Sequence, residues 1–179
     1  MHRRKLVATA AVVALTVLSV SPARAQLTEE YAFVGTWNLN LEASSFDPGS
    51  GPQSVTRLFG VDDDGFLISV RTTIGGAGNP TFAMARAKLD GRDYPVWTNA
   101  ALYAFMADGS TAEGTASFAA VDERTFRLTQ KNADGEVNPL SPNTWQVSAD
   151  GSTLTVTTMG TNGAGNQVHN VEVFDRVEN

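Results

Sequence analysis

After its N-terminal segment the chain contains one histidine, His169, the residue type best suited to general acid–base chemistry. Val171 shares its face in an alternating stretch, so the pattern allows His169 to point toward the mouth of a barrel. A lone histidine at the start of a strand is more often a surface residue. A catalytic site would need His169, Asp93 or Tyr94 to converge at a cavity, and the sequence therefore assigns no catalytic residue.

The chain offers little for a metal ion or a cofactor. It contains no cysteine, which excludes thiolate ligands and disulfides. One histidine cannot supply the usual zinc ligand sets unless carboxylates dominate. The acidic run at residues 62–64, before Gly65, lacks the ligand spacing and terminal glutamate of a calcium loop. The sequence therefore predicts no metal site and no cofactor.

Aromatic side chains in the middle of the chain are the stronger signal, and they indicate binding. Inward side chains of a closed barrel of about eight strands either fill it or line a cavity for one small ligand. Arg86 alternates in phase with Phe82 and Met84, so it could face inward and meet an anionic group. The predicted ligand-binding residues are Phe82, Met84, Arg86, Tyr103, Phe105, Phe118, Trp145 and His169. The alternative is that the aromatic residues are plain core and that the arginine lies outside.

The charge balance narrows the range of partners. The chain has 13 basic and 19 acidic residues and a formal net charge of −6. Nucleic acids and anionic membrane surfaces select basic footprints, so neither is expected as a partner. Solubility alone also explains an acidic surface. A small apolar ligand is the partner that we expect, and the oligomeric state stays open.

Residues 1–25 have the pattern of an export signal rather than of a folded element. Basic residues at 3–5 precede an apolar stretch at 6–20, and a small-x-small cleavage site ends at Ala25. The apolar stretch is shorter than the roughly 20 residues that a membrane-spanning helix needs. The sequence therefore predicts a signal peptide, one domain at residues 26–179 located in the periplasm or the medium, and no stable membrane insertion.

Five Asp-Gly pairs divide this domain into strand-like stretches, at residues 64–65, 90–91, 108–109, 134–135 and 150–151. Asp-Gly is a strong signal for a two-residue type I′ hairpin turn. About ten short strands, one of them at residues 100–106, and no amphipathic helix favour an all-β fold. A single antiparallel meander of about eight to ten strands is expected to close into a barrel, because closure removes exposed edges. Pro95 indicates a strand edge or a loop crossing.

The two ends of the domain resemble those of lipocalins and the wider calycin group. Gly35-Thr36-Trp37 is similar to the G-x-W motif of their first strand, and Arg176 stands near the end of the last strand. In that group such an arginine packs across the tryptophan, and a guanidinium on an indole covers the core while it donates to nearby carbonyls. The resemblance implies structural roles for Gly35, Trp37 and Arg176.

A closer resemblance covers residues 34–177. The stretches GTWNLNLEASSFDPGSGPQS, LDGRDYPV and SADGSTLTVTTMGTNGAGNQVHNVEVFDR are similar to a group of exported bacterial lipocalin-like proteins without a settled activity. The resemblance implies a lipocalin-like barrel. Asn38 and Glu42 depart from the group, because lysine is common at both positions.

Three functions fit these observations. The preferred one is an exported lipocalin-like protein that binds a small, largely apolar ligand in the cell envelope, with about 25 cal/mol for each Å² of apolar area removed from water. A small barrel enzyme of the isomerase, cyclase or hydrolase type is the first alternative. An envelope interaction module with a solid core is the second. The interior volume and the directions of Arg86 and His169 distinguish them.

Overall fold

The computed structural model describes residues 31–47, 51–75, 78, 80–98 and 114–178, which form ten β-strands and no helix. The strands are β1 (Gly35–Leu39), β2 (Ser54–Val61), β3 (Leu67–Ile74), β4 (Pro80–Ala87), β5 (Asp90–Thr98), β6 (Gly114–Asp122), β7 (Thr125–Asn132), β8 (Asn143–Val147), β9 (Thr153–Thr161) and β10 (Gln167–Arg176). Three expected features lie outside the described residues: the signal peptide at 1–25, the strand at 100–106 and the Asp-Gly pair at 108–109. Within the described ranges, no helix combines the length and the apolar character that crossing a lipid bilayer requires.

The strands form one antiparallel meander that closes on itself. Each strand pairs with its neighbours in sequence, and β1 also pairs with β10, which completes the barrel. At this seam Trp37 lies opposite Arg176 of β10 on one side and opposite Arg57 of β2 on the other. The predicted fold, an all-β meander barrel of the lipocalin type, is confirmed. Closure leaves no unpaired first or last strand, because each of these two strands is the partner of the other.

The Asp-Gly pairs at residues 64–65, 134–135 and 150–151 lie in longer hairpin loops than the sequence predicts, whereas Asp90-Gly91 begins β5 and is not a hairpin turn. Between β2 and β3 the amide of Gly65 donates to the carbonyl of Asp62 at 3.0 Å, and the amide of Asp62 donates to Phe66 at 2.9 Å. Gly65, at a φ of 76°, therefore ends a three-residue loop and is not a central residue of a type I′ turn. The Asp62 carboxylate stabilises this longer loop by accepting from the amides of Asp64 and Phe66. The amides of Gly135 and Gly151 likewise donate to the backbone carbonyl three positions earlier.

β5 is a strand along its whole length, and Pro95 lies inside it. Pro95 is opposite Thr115 of β6, whereas β5 pairs with β4 only from Val96 to Thr98. The missing N–H of Pro95 therefore falls where β5 has no ladder partner in β4 within the described ranges, so little is lost. The predicted loop crossing is wrong, and the predicted local edge is present on one side.

The carboxylate of Asp150 anchors the turn between β8 and β9. It accepts hydrogen bonds from the Ser148 hydroxyl at 2.5 Å and from the amide and hydroxyl of Ser152 at 3.1 Å and 2.9 Å. The bond from Ser148, followed by those from Ser152, lowers the pKa of Asp150 to about 2. Because the folded pKa is below the unfolded one, ionised Asp150 stabilises the fold above about pH 4, and this contribution disappears as the pH falls toward 2.

We expect Asp150→Asn to lower the melting temperature by a few degrees at pH 7 and to leave it close to that of the wild type near pH 2. Circular dichroism melts between pH 2 and 7 measure the gap. Asp134→Asn is the matched control, because in that loop the side-chain bonds join Asn132 and Glu136 instead. A gap that does not change with pH, or one equally large for Asp134→Asn, contradicts the assignment.

Aromatic rings fill one end of the barrel. The ring centroid of Phe126 lies 4.9 Å from that of Phe33, 5.8 Å from that of Phe118 and 5.2 Å from that of Trp145. Phe59 meets Trp145 edge to face at 5.8 Å. All five side chains are buried, and buried rings of this size dominate the energetics of a small core. This aromatic layer forms one boundary of the space that remains inside the barrel.

Candidate functional site

A small cavity, here called the inner cavity, lies inside the barrel beside the aromatic layer. Its volume is about 70 Å³. Trp145, Phe118 and Leu128 supply apolar walls. Four strands supply its polar wall residues, which are Arg57, Ser69, Arg71, Gln130 and Asn143. A complete small-molecule pocket measures about 300–1,000 Å³, so the inner cavity has room for one chemical group rather than for a whole ligand.

A larger cleft adjoins the inner cavity where β5 ends and β6 begins. This outer cleft has a volume of about 670 Å³ and shares Val96 and Gln130 with the inner cavity. Thr98, Gly114 and Asn138 are among its other walls. The two spaces together offer a small space with a polar wall and a wider region beside it.

Arg57 carries the charge of the inner cavity. Its neighbours on the same face of β2 are buried apolar residues, and Arg57 itself is only 7% exposed. Its Nη2 donates to Oε2 of Glu172 at 2.9 Å. The guanidinium carbon lies 4.3 Å from the ring centroid of Trp145 and 4.9 Å from that of Phe174. The guanidinium therefore has one carboxylate partner and two aromatic rings beside it, and these contacts offset part of the cost of burying a cation.

Two arginines lie side by side at the inner cavity, and Glu172 pairs with Arg57. Arg57 and Arg71 lie directly opposite each other on β2 and β3, and both line the cavity. Burial is the main reason that the pKa of Arg57 falls to about 10; Glu172 opposes this shift and the charge of Arg71 adds to it. The lowered pKa shows that burial disfavours the charged form of Arg57 by more than Glu172 offsets. A second negative charge near both arginines would relieve this cost.

Three buried polar atoms at the inner cavity have no hydrogen-bond partner among the residues that the structure describes. They are Nε of Arg57, Nε1 of Trp145 and Oδ1 of Asn143. The first two atoms can only donate. Each buried donor without a partner costs about 1–3 kcal/mol. Both donors belong to residues that line the inner cavity, so a group that accepts hydrogen bonds and reaches them would remove this cost.

The structure brings some of the predicted ligand-binding residues together. Phe118 and Trp145 line the inner cavity, and Met84 borders it. Phe82 does not line it: this side chain is partly exposed on β4, where the buried residues are Ala85 and Ala87. Two further predicted residues fall outside the described ranges, namely Tyr103 and Phe105.

Arg86 does not face the barrel interior, so its predicted inward direction is wrong. Its Nε donates to Oδ2 of Asp62 at 2.6 Å and its Nη2 donates to Oδ2 of Asp64 at 2.9 Å. The guanidinium also lies 3.8 Å from the ring centroid of Phe66. Burial raises the pKa of Asp62, but the bonds from the Phe66 amide and from Arg86 outweigh this and lower it overall. Arg86 therefore holds the loop between β2 and β3 and is already paired with two acids.

His169 lies exposed on β10 and lines neither the inner cavity nor the outer cleft. Asp93 pairs with Lys131 at 2.6 Å, and the Tyr94 hydroxyl donates to Asp90 at 3.0 Å. The three residues that an enzyme would need do not converge. Across the described part of the chain, no group of three or more His, Cys, Asp or Glu side chains is arranged to hold a metal ion.

Sequence reasoning missed the central charged pair, Arg57 and Glu172. The signal was present in the alternation of β2 and β10. Arg57 occupies the same phase as Phe59, and Glu172 the same phase as Phe174, so each charge falls on the face that carries buried aromatic residues. A charged residue in phase with a buried stripe indicates an interior ion pair or a binding group.

The seam of the barrel is locked by Trp37 and Arg176, and the stacking that the resemblance implies is present. The guanidinium carbon of Arg176 lies 4.0 Å from the ring centroid of the fully buried Trp37. The three nitrogens of the guanidinium donate to backbone carbonyls of Gly151 at 2.6 Å, Val34 at 2.7 Å and Ala32 at 2.5 Å. The planar fork of arginine suits this task, and lysine cannot reproduce it.

Gly35 provides the space that this lock needs. It has a φ of 136°, and a Cβ atom at this position would lie 2.7 Å from Nη1 of Arg176. A side chain here would be strained and would displace the guanidinium. The glycine of the G-x-W stretch is therefore explained by the arginine 141 positions later in the chain.

No family model matches the chain, and no curated protein sequence matches it. The fold and the site therefore define the class of protein by themselves. It is a closed antiparallel barrel of the lipocalin type, with a small, positively charged cavity inside and a wider cleft beside it.

Proposed function

We propose that the protein is an exported member of the bacterial lipocalin-like group and that it binds a small ligand inside its barrel. The observation that carries the binding proposal is the pair of buried donors, Arg57 Nε and Trp145 Nε1, beside the inner cavity. Folded proteins seldom leave such groups unpaired, because the cost is comparable to a large share of their stability. The pattern of residues 1–25 supports export to the periplasm or the medium.

The volumes of the inner cavity and the outer cleft limit the size of each part of the ligand. The inner cavity of about 70 Å³ accepts one polar head group, and the outer cleft of about 670 Å³ accepts the rest of the molecule. The sequence predicts a small, largely apolar ligand whose polar end Arg86 or His169 would orient. The polar wall of the inner cavity supports a ligand with a polar head and an apolar body, but neither of those two residues lines it. Burial of the body would supply most of the affinity.

Native mass spectrometry of the protein purified from the organism that makes it tests the proposal directly. We expect a co-purified small molecule that is released on unfolding. In a parallel thermal-shift screen with fatty acids and aromatic compounds, a ligand at 100 times its Kd adds about 2.7 kcal/mol to stability. Because the chain has three tryptophans, a ligand-induced fluorescence change that is absent in Trp145→Phe would report occupation of the inner cavity.

Leucine substitutions at two alanine positions distinguish binding inside the barrel from binding on its surface. Ala83→Leu places a larger side chain in the wall of the inner cavity, whereas Ala119→Leu makes the same change in β6 away from it. We expect Ala83→Leu to fold and to lose the ligand, and Ala119→Leu to keep it. The proposal fails if no compound co-purifies or stabilises the protein, or if Ala83→Leu binds as tightly as the wild type.

A further inference from the structure

We propose that the head group of the ligand is a carboxylate that binds between the guanidinium groups of Arg57 and Arg71; this inference rests on the proposed binding function. Arg57 is buried at the inner cavity, and Arg71 lies opposite it with an exposed side chain on the same wall. A head group that enters from the exposed side would meet Arg71 first and Arg57 behind it.

The charges of the inner cavity favour an anion. Among the described residues, its lining contains two cations, Arg57 and Arg71, and no carboxylate. Glu172 pairs with Arg57 but does not line the cavity, so it neutralises at most one of the two charges. Attraction between opposite charges is stronger in a protein interior than in water, because the effective dielectric constant is lower. A cationic head group would instead face two like charges.

The unpaired hydrogen-bond donors at the inner cavity favour a head group that accepts hydrogen bonds. Glu172 accepts from Nη2 of Arg57, and Nε of the same guanidinium has no partner within the described ranges. Nε1 of Trp145 is a second donor at the same cavity. A carboxylate accepts several such bonds with its two oxygens, and bonds between ions are roughly twice as strong as neutral ones. A neutral amide would satisfy the donors and leave the charge of the arginines uncompensated.

The size of the inner cavity agrees with this assignment. Its volume of about 70 Å³ suits a single carboxylate group and excludes a long chain. The body of the acid would pass Val96 and Gln130 into the outer cleft, which these two residues also line. The inference therefore describes an amphipathic acid whose charged end is inside the barrel.

Three acids and their amides test this inference on the full folded chain: acetate and acetamide, benzoate and benzamide, octanoate and octanamide. Calorimetric titration at pH 7 and about 0.15 M salt limits the contribution of surface charges. We expect at least one acid to bind about tenfold or more tightly than its amide, because only the acid compensates the charge of the arginines. Arg71→Gln should weaken that acid about tenfold and leave the amide unchanged.

Arg127→Gln is the matched control, because it removes an exposed arginine of β7 that does not line the cavity. It should change the affinity for the acid less than about twofold. If Arg71→Gln does not fold, Arg71→Lys keeps the charge but not the fork and should give a smaller loss in the same direction.

The outcomes separate this inference from the proposed function. Equal affinities for acid and amide, or equal losses in Arg71→Gln and Arg127→Gln, overturn the carboxylate and leave the binding function in place. The same holds if none of the three acids binds while a neutral compound from the thermal-shift screen does. If no compound of any class binds, the proposed function itself fails.

Discussion

Trp37→Ala is expected to lower the free energy of unfolding by about 3–5 kcal/mol, the usual cost of removing a large buried aromatic side chain. Trp37 is fully buried at the seam between β1 and β10, and its Nε1 donates to the carbonyl of Phe33 at 2.8 Å. Its loss would also expose one face of the Arg176 guanidinium, which lies over the indole. Because small domains have only about 5–15 kcal/mol of stability, the variant is expected to be marginal.

Urea denaturation followed by circular dichroism measures this change, and it needs no ligand. Leu41→Ala is the control, because Leu41 lies two residues after the end of β1 but is 47% exposed. We expect the control to cost less than about 1 kcal/mol. A loss below about 1 kcal/mol for Trp37→Ala would mean that the tryptophan is not what closes the barrel.

The fold was largely predictable from the sequence. The alternation of apolar and polar residues, the Asp-Gly hairpin signals and the pair of Trp37 and Arg176 near the two ends of the domain all indicate one closed meander. The sequence did not predict correctly which face of β4 points into the barrel. Phe82 and Met84 are the large residues of that strand, so the usual rule places their face inside. In the structure the buried residues of β4 are Ala85 and Ala87, while Phe59 and Phe118 reach into the interior from other strands. Small residues face the core where rings from other strands already fill it, and one strand does not reveal this.

The site was less predictable than the fold, because its residues meet only after closure. Arg57 and Glu172 are 115 positions apart and lie on β2 and β10, which β1 separates. Phase alone could have placed each charge on an inner face, but it could not have paired them. The size of the inner cavity also depends on how rings from several strands pack, which no single stretch of sequence encodes.

Arg57→Met is expected to lower the free energy of unfolding by about 3 kcal/mol, because removing one member of a buried pair leaves the other without a counter-charge. Glu172→Met should be similarly costly, since the unpaired guanidinium of Arg57 is the more deeply buried of the two groups. The double variant, Arg57→Met with Glu172→Met, is expected to cost about half of the sum, because no unpaired charge then remains in the barrel. Urea denaturation of the four proteins measures the coupling energy, for which about 3 kcal/mol is expected.

A double variant that loses as much stability as the two single variants combined would contradict this account, since the two side chains would then act independently. If instead the double variant is nearly as stable as the wild type, the pair is not needed for folding. The barrel then holds a buried cation that an apolar core could replace, together with a donor that nothing in its described residues satisfies. If that stable variant no longer binds the acid, Arg57 serves ligand binding rather than folding.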